Sequence, residues 1–319
     1  MIGFPVHLLP LLVAVIGLAC LIGGAEFLVR GGARLARTFN VSPVVIGLTV
    51  VAIGTSAPEF MVSVGAAWRG SPDLATGNVV GSNLANIGLI LGIAGLLRPL
   101  PVSLRLLKVE VPALVAATVV FAAMAVDGRL SRVEGGVLLV ALCALTGFNI
   151  RAARREDPAV IAEFANEYGA TDGIGRDLLQ IAAGLALLLG GGHLLVDSAV
   201  TVARNLGISE LIIGLTLVAV GTSLPELATS TVAVLRDEPD IAVGNVVGSN
   251  LFNILAVIGP AAVVQPIAVS DELLRVQLPA LLLLTAALWV VLRTGHTVTR
   301  PEAGGLLATY LAVIAISAR

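Results

Sequence analysis

Apolar residues in this chain do not alternate with polar ones; they run in long blocks separated by short polar breaks. Ten blocks stand out, at about 6–29, 42–67, 72–97, 109–127, 130–150, 178–203, 209–235, 239–264, 272–293 and 303–318, each near the ~20 residues that a helix needs to cross a hydrocarbon core ~30 Å thick. Membrane strands would be shorter and would alternate, a period these blocks lack. The pattern therefore predicts ten transmembrane helices. The first block has the hydrophobicity of a signal peptide, but no Lys or Arg precedes Arg30. The positively charged leading region is thus missing, and a retained helix is expected.

The pattern repeats. A shift of 167 residues, the distance from 21 to 188, lays LIGGAEFLVR at 21–30 on LLGGGHLLVD at 188–197, and IGLTVVAIGTSAPEF at 46–60 on IGLTLVAVGTSLPEL at 213–227. Pro72 and Asp73 fall on Pro239 and Asp240, and GNVVGSNL at 77–84 recurs letter for letter at 244–251. A copy with an odd number of spans must insert upside down relative to its mate, the inverted architecture of many secondary transporters. The expected fold is an all-α membrane protein with ten transmembrane helices as two inverted-topology five-helix repeats. Residues 1–150 form the first repeat, 151–176 a polar cytoplasmic linker too short for a folded domain, and 177–319 the second repeat. The closest identity lies in polar stretches, whereas duplicated packing alone would have kept only the apolar period.

Composition agrees: 57% of residues are hydrophobic and 13% charged, far from a soluble domain. The net charge of −2 says little, because in a membrane protein the side on which positive residues lie is what counts. If the N-terminus is outside, thirteen of the 19 Lys and Arg residues face the cytoplasm, among them Arg30, Arg34, Arg37, Arg98 and Arg236, while Arg69, Arg129, Arg132, Arg204, Arg275 and Arg319 face out. Both termini are therefore expected outside a multi-pass cell membrane protein. The lipid bilayer is the implied partner, with no nucleic acid and no obligate protein partner. Cys20 and Cys143 lie within apolar blocks and read as small packing residues.

Two polar motifs interrupt the apolar helices. Thr55, Ser56 and Glu59 are spaced i, i+1 and i+4, so that carboxylate and hydroxyls share a helix face; Thr222, Ser223 and Glu226 repeat the pattern. Pro58 and Pro225 cannot donate to the carbonyls of Gly54 and Gly221, which predicts kinks and free carbonyls that need a cavity or an ion. These oxygen donors, without nitrogen or sulfur, suit a hard cation such as Ca²⁺ or Na⁺. An unpaired carboxylate at mid-bilayer costs at least ~2.5–3.5 kcal/mol, and no Lys or Arg lies within the motif blocks to offset it. In the third and eighth blocks, Asn78, Ser82 and Asn86, and Asn245, Ser249 and Asn253, form polar stripes at i, i+4 and i+8. Asn78 and Asn245 read as interhelical glue at least as well as ligands; Ser82, Asn86, Ser249 and Asn253 read as ion or water ligands. The spacings Gly77 to Gly81 and Gly244 to Gly248 favour close helix approach. Asp73 and Asp240 read as first-turn helix residues, and Glu26 and His193, equivalent in the repeat, as solvated or snorkelling groups.

With GTSAPEF at 54–60, GTSLPEL at 221–227, GNVVGSNLANIG at 77–88 and GNVVGSNLFNIL at 244–255, the chain resembles the cation/calcium exchanger superfamily, specifically its prokaryotic sodium/calcium exchangers, over nearly its whole length. The resemblance implies cation sites lined by Glu59, Thr55, Ser56, Ser82 and Asn86, with Glu226, Thr222, Ser223, Ser249 and Asn253, and adds the main-chain carbonyls of Ala52 and Ala219. It implies exchange of three Na⁺ for one Ca²⁺, bound as substrates with no cofactor, and movement of the first and sixth helices against the rest. Potassium-dependent members resemble this pattern with Asp in the second repeat; here both positions are Asn, at 86 and 253. A Ca²⁺/H⁺ antiporter on the same fold is the nearest alternative, although such relatives resemble a Gly-Asn-Ala-x-Glu motif. A passive channel fits paired internal carboxylates less well. An intramembrane enzyme using Ser56 or Ser223 lacks a base, since His7, His193 and His296 lie outside the motif blocks.

Overall fold

The structure, a computed structural model, describes residues 8–39, 41–70, 72–153, 173–206 and 219–317. Its main helices are α1 (Leu8–Thr38), α2 (Val44–Thr55), α3 (Ala57–Trp68), α4 (Leu74–Leu97), α5 (Leu106–Ala125), α6 (Arg132–Ala153), α7 (Ile174–Asn205), α8 (Leu224–Leu235), α9 (Pro239–Val264), α10 (Leu273–Gly295) and α11 (Arg300–Ser317). Among the described residues seven helices are long and apolar enough to cross a membrane, and the bent pair α2 and α3 makes an eighth span. The short α8 falls in the expected 209–235 block, of which residues 209–218 lie outside the described ones, as does most of the 151–176 linker. Helix α11 is less apolar because its first turn carries Arg300 and Glu302. The chain is a mainly helical membrane protein.

Helix α1 runs beyond the expected end at 29 to Thr38, so Arg30, Arg34 and Arg37 lie in its last two to three turns. Among the described residues no strand is longer than two residues. Two-residue strands form antiparallel ribbons at helix ends: β1 (Leu100–Pro101) with β4 (Thr297–Val298), and β2 (Arg129–Leu130) with β3 (Ile267–Ala268). The 167-residue shift carries β1 onto β3, so each ribbon joins segments from both halves of the chain.

Lipid offers helices no hydrophobic drive to associate, so close packing and hydrogen bonds between helices must supply it. Helices α4 and α9 occupy the centre: 78% and 94% of their spanning windows are buried, against 17–33% for α1, α5, α6, α7 and α10. Val79, Val80, Ile87 and Ile90 of α4 and Val243, Val246, Val247 and Ile254 of α9 are wholly buried. Gly244 and Gly248 bring α9 against α2, where a Cβ on Gly248 would lie 2.8 Å from the Leu48 Cα. For Gly77 and Gly81 no neighbour within 4 Å is found among the described residues.

The two longest helices, α1 and α7, form an antiparallel pair outside this centre. A glycine seam joins them: a Cβ on Gly24 would lie 2.7 Å from the Gly184 carbonyl, and one on Gly191 would lie 2.7 Å from the Gly17 carbonyl. The backbones therefore touch, which no larger residue allows. Gly23 and Gly190, also in the glycine-rich stretches, face open space. Introducing valine into the seam with Gly184→Val is expected to destabilise the purified protein by about 1–3 kcal/mol through overpacking, while Gly190→Val leaves thermal unfolding in detergent unchanged or slightly raised.

Candidate ion-binding site

The two acidic motifs break their helices instead of merely kinking them. Ser56 sits between α2 and α3 with φ −81° and ψ 9°, and Ser223 precedes α8 with φ −90° and ψ 6°. The bend between α2 and α3 is 48°. Pro58 and Pro225 thus open the second half-helices, in the first turn where a missing N–H costs nothing. Glu59 and Glu226 fall in the same first turns, where the partial positive charge of a helix N-terminus favours a carboxylate.

The breaks from the two halves of the chain meet at the centre, and each serves the other's carboxylate. Ser56 Oγ donates to Glu226 Oε1 at 2.9 Å. Ser223 Oγ lies 3.4 Å from Glu59 Oε1 and 3.4 Å from Ser82 Oγ, and Ser82 Oγ itself donates to Glu59 Oε1 at 3.3 Å. Thr55 Oγ1 reaches Asn245 Oδ1 at 3.1 Å. Thr55, Ser56, Glu59, Ser82, Asn86, Ser223, Glu226, Ser249 and Asn253 are all buried. Thr222 is only half-buried and lines, with Pro58, Pro225 and His193, a cavity of about 220 Å³ between α3, α7 and α8. The Ala52 carbonyl already accepts from Ser56 N–H at 3.0 Å; in the second motif the Ser223 N–H goes to Val220 instead, at 3.1 Å, and not to Ala219.

The asparagines divide into two sets. Asn78 donates to Ser63 Oγ at 2.9 Å and Asn245 to Ser230 Oγ at 3.0 Å, and each also points its amide at the main-chain carbonyl of the nearby Glu. These are the interhelical ties expected from the sequence, joining α4 to α3 and α9 to α8. Asn86 Nδ2 donates across the repeats to Asn250 Oδ1 at 3.2 Å, and Asn253 Nδ2 to Asn83 Oδ1 at 3.0 Å. Asn83 also donates to the Asn250 carbonyl at 3.3 Å. Asn83 and Asn250 are positioning residues that sequence reasoning missed. They lie in the identical GNVVGSNL segments but off the i, i+4, i+8 stripe, and only the packing of α4 on α9 gives them partners. The helices widen into π-turns at Ala85–Ile90 and Asn253–Ile258, beside these amides, a local loosening common at functional sites.

With their amide nitrogens committed, Asn86 Oδ1 and Asn253 Oδ1 have no hydrogen-bond partner among the described residues, and neither do Glu59 Oε2, Glu226 Oε2 and Ser249 Oγ. Each is buried. Five orphaned oxygens without water would cost several kcal/mol apiece, and no Lys or Arg pairs with either Glu among the described residues. The donor set is all oxygen, with no cluster of three or more His, Cys, Asp or Glu among the described residues. Such a set fits a hard, partly dehydrated cation. Truncating Asn83 to Ala leaves the buried Asn253 amide without its acceptor and is expected to lower stability by about 1–3 kcal/mol, read by thermal unfolding in detergent.

Known proteins resemble this chain in sequence and in fold. The family model described as sodium/calcium exchanger protein matches the chain twice, over residues 9–151 and 177–319. The putative antiporter CaxA of Alkalimonas amylolytica is 43% identical over 254 residues, 79% of each chain. The sodium/calcium exchanger MaX1 of Methanosarcina acetivorans is 31% identical over 96% of this chain and 97% of its own. Among solved structures, the sodium-calcium exchanger NCX_Mj soaked without Na⁺ and Ca²⁺ superposes with a TM-score of 0.85 at 32% identity, covering 98% of this chain and 99% of that one. The relatives named for an activity are exchangers and antiporters, not enzymes. By family model, sequence identity and fold together, the chain belongs to the sodium/calcium exchanger protein family.

Proposed function

We propose that this protein is a secondary active antiporter that exchanges Na⁺ for Ca²⁺ by alternating access. The observation that carries the reading is the pair of buried carboxylates, Glu59 and Glu226, each with an unpartnered oxygen and neither in an ion pair among the described residues. Two negative charges in a low-dielectric site are balanced by one Ca²⁺, two Na⁺ or two protons, so Ca²⁺ and the monovalent ions compete for the same charge. Mutually exclusive occupancy follows, and exchange with it. Ligands come from Glu59, Glu226, Ser82, Ser249, Asn86 and Asn253, with Thr55, Ser56, Thr222, Ser223 and the Ala52 and Ala219 carbonyls completing the shells. That MaX1 and NCX_Mj are both named sodium/calcium exchangers supports sodium as the coupling ion.

Several features support two inverted five-span repeats at 1–150 and 177–319. The family model matches twice, the α1–α7 seam is antiparallel, and the serine-to-glutamate and asparagine bonds are reciprocal. Each ribbon joins segments that an alternating topology puts on one side: 98–108 with 293–300, and 129–132 with 265–271. That agrees with grouping the Lys and Arg residues into sets of thirteen and six on opposite sides, and the excess of positive charge on the cytoplasmic side then puts the termini outside. A stoichiometry of three Na⁺ per Ca²⁺ would leave one net charge moving per cycle, worth ~2.3 kcal/mol per 100 mV.

In proteoliposomes preloaded with Na⁺, uptake of ⁴⁵Ca²⁺ is expected, and Glu59→Gln or Glu226→Gln is expected to reduce it to the protein-free background. Uptake driven equally well by a proton gradient without Na⁺ would replace this reading with Ca²⁺/H⁺ antiport at the same site. Flux without any trans cation would replace it with a channel.

A further inference from the structure

Under the 167-residue shift, the two ends of the α1–α7 pair should be held to the central helices alike, and they are not. At one end Glu26 of α1 is gripped by Arg236, at the end of α8, through a two-pronged contact: Nε to Oε2 at 2.8 Å and a terminal nitrogen to Oε1 at 2.6 Å. Arg30, one turn on, also reaches Glu26 at 2.5 Å. The shift places His193 on Glu26 and Arg69 on Arg236. Those two cannot bridge. His193 turns instead to Asp197 on its own helix at 3.3 Å, and Arg69 makes no ion pair among the described residues. Glu26 is therefore not the solvated group its sequence position suggests.

The turn carrying Arg236 shows the same inequality in its backbone. Asp237 adopts a left-handed φ of 62°, whereas its repeat mate at φ 78° is Gly70. Glycine is the residue suited to this helix-ending conformation, so the aspartate is retained against a local strain. Its carboxylate pairs with Arg98 just past the end of α4; the mate of Arg98 is Gln265, which carries no charge. Arg236 is thus presented by a turn pinned to the deeply buried α4. On the other side, Arg34 of α1 binds Asp177 and Gln180 of α7, so α1 and α7 are tied to each other at this end.

The motif threonines differ as well: Thr55 is buried, while Thr222, its mate, is half-buried and lines the cavity at His193. We propose that Glu26, Arg236 and the Asp237–Arg98 anchor form an ionic clamp that holds the α1–α7 pair shut at the arginine-rich end, biasing the resting protein toward opening at the His193 end. The clamp rests on the alternating-access reading above: in each cycle the Glu26–Arg236 contact must part before the ion site can open on that side.

The test is chemical accessibility in detergent, where both ends meet the reagent and membrane orientation does not matter. Val29 lines a cleft of about 230 Å³ with Arg30 and Arg236 and is 1% exposed. In a Cys20→Ala/Cys143→Ala background, a Val29→Cys reporter is expected to react with a charged maleimide about fivefold faster in Glu26→Gln and Arg236→Gln, and near the parent rate when Glu26→Arg and Arg236→Glu are combined. Arg69→Gln should leave the rate unchanged. Asp237→Gly relaxes the backbone while removing only the anchor, so it cannot fail through strain, and a rise of about twofold is expected. Parent-rate labelling in Glu26→Gln, or in Asp237→Gly alone if the other variants do not fold, overturns the clamp. Absence of Na⁺-driven Ca²⁺ uptake in the parent, with the labelling pattern intact, would instead overturn the exchange reading and leave the clamp standing.

Discussion

The structure depends on keeping two carboxylates at the centre of a membrane protein without a cationic side chain beside them. Both are buried away from bulk solvent, so the chain must supply hydrogen-bond donors and leave the rest of the charge to whatever cation binds. Helix breaks at Ser56 and Ser223 do the first part, since each puts a helix N-terminus and a serine hydroxyl next to a glutamate. Irregular backbone at this depth is tolerated because α4 and α9 bury it on both sides.

That central pair is therefore more than scaffolding. The amides of Asn83 and Asn250 draw the nitrogens of Asn253 and Asn86 away from the site, which leaves oxygens to face it. An asparagine left free to rotate would offer a donor as readily as an acceptor and so discriminate poorly between a cation and nothing. Around this rigid centre the α1–α7 pair is bound differently: to itself by backbone contact at glycines, and to the centre by fewer, partly ionic contacts at one end. Two kinds of adhesion in one bundle allow one part to stay fixed while the other is held loosely enough to shift.

Most of the helix plan was legible because lipid imposes a length and an apolarity on every span, and both are one-dimensional properties. The blocks at 72–97 and 239–264 match α4 and α9 almost residue for residue. Where polar and apolar signals compete, the boundary moved: Arg30, Arg34 and Arg37 end the first apolar block, yet α1 continues to Thr38, with Arg30 paired to Glu26 and Arg34 to Asp177 and Gln180. Proline at 58 and 225 marks a disruption in the sequence, but only the structure shows a full break two residues earlier, at serines whose hydroxyls lie against the glutamate of the opposite half.

By itself the sequence displayed most of the spans and the 167-residue repeat, and it singled out the two glutamates with their Thr, Ser and Asn companions as candidates, since burial of charge in lipid requires a reason that local composition already displays. Only the tertiary structure decided which of those companions face the site and which face each other, because the same Asn at one spacing ties helices and at another presents an oxygen. It also decided that Glu26 is a clamped group and His193 an exposed one, despite their equivalence in the repeat. The reason is physical: an ion pair is a property of two positions, and the residue that pairs with Glu26 lies 210 positions along the chain, where only the packed bundle brings it near.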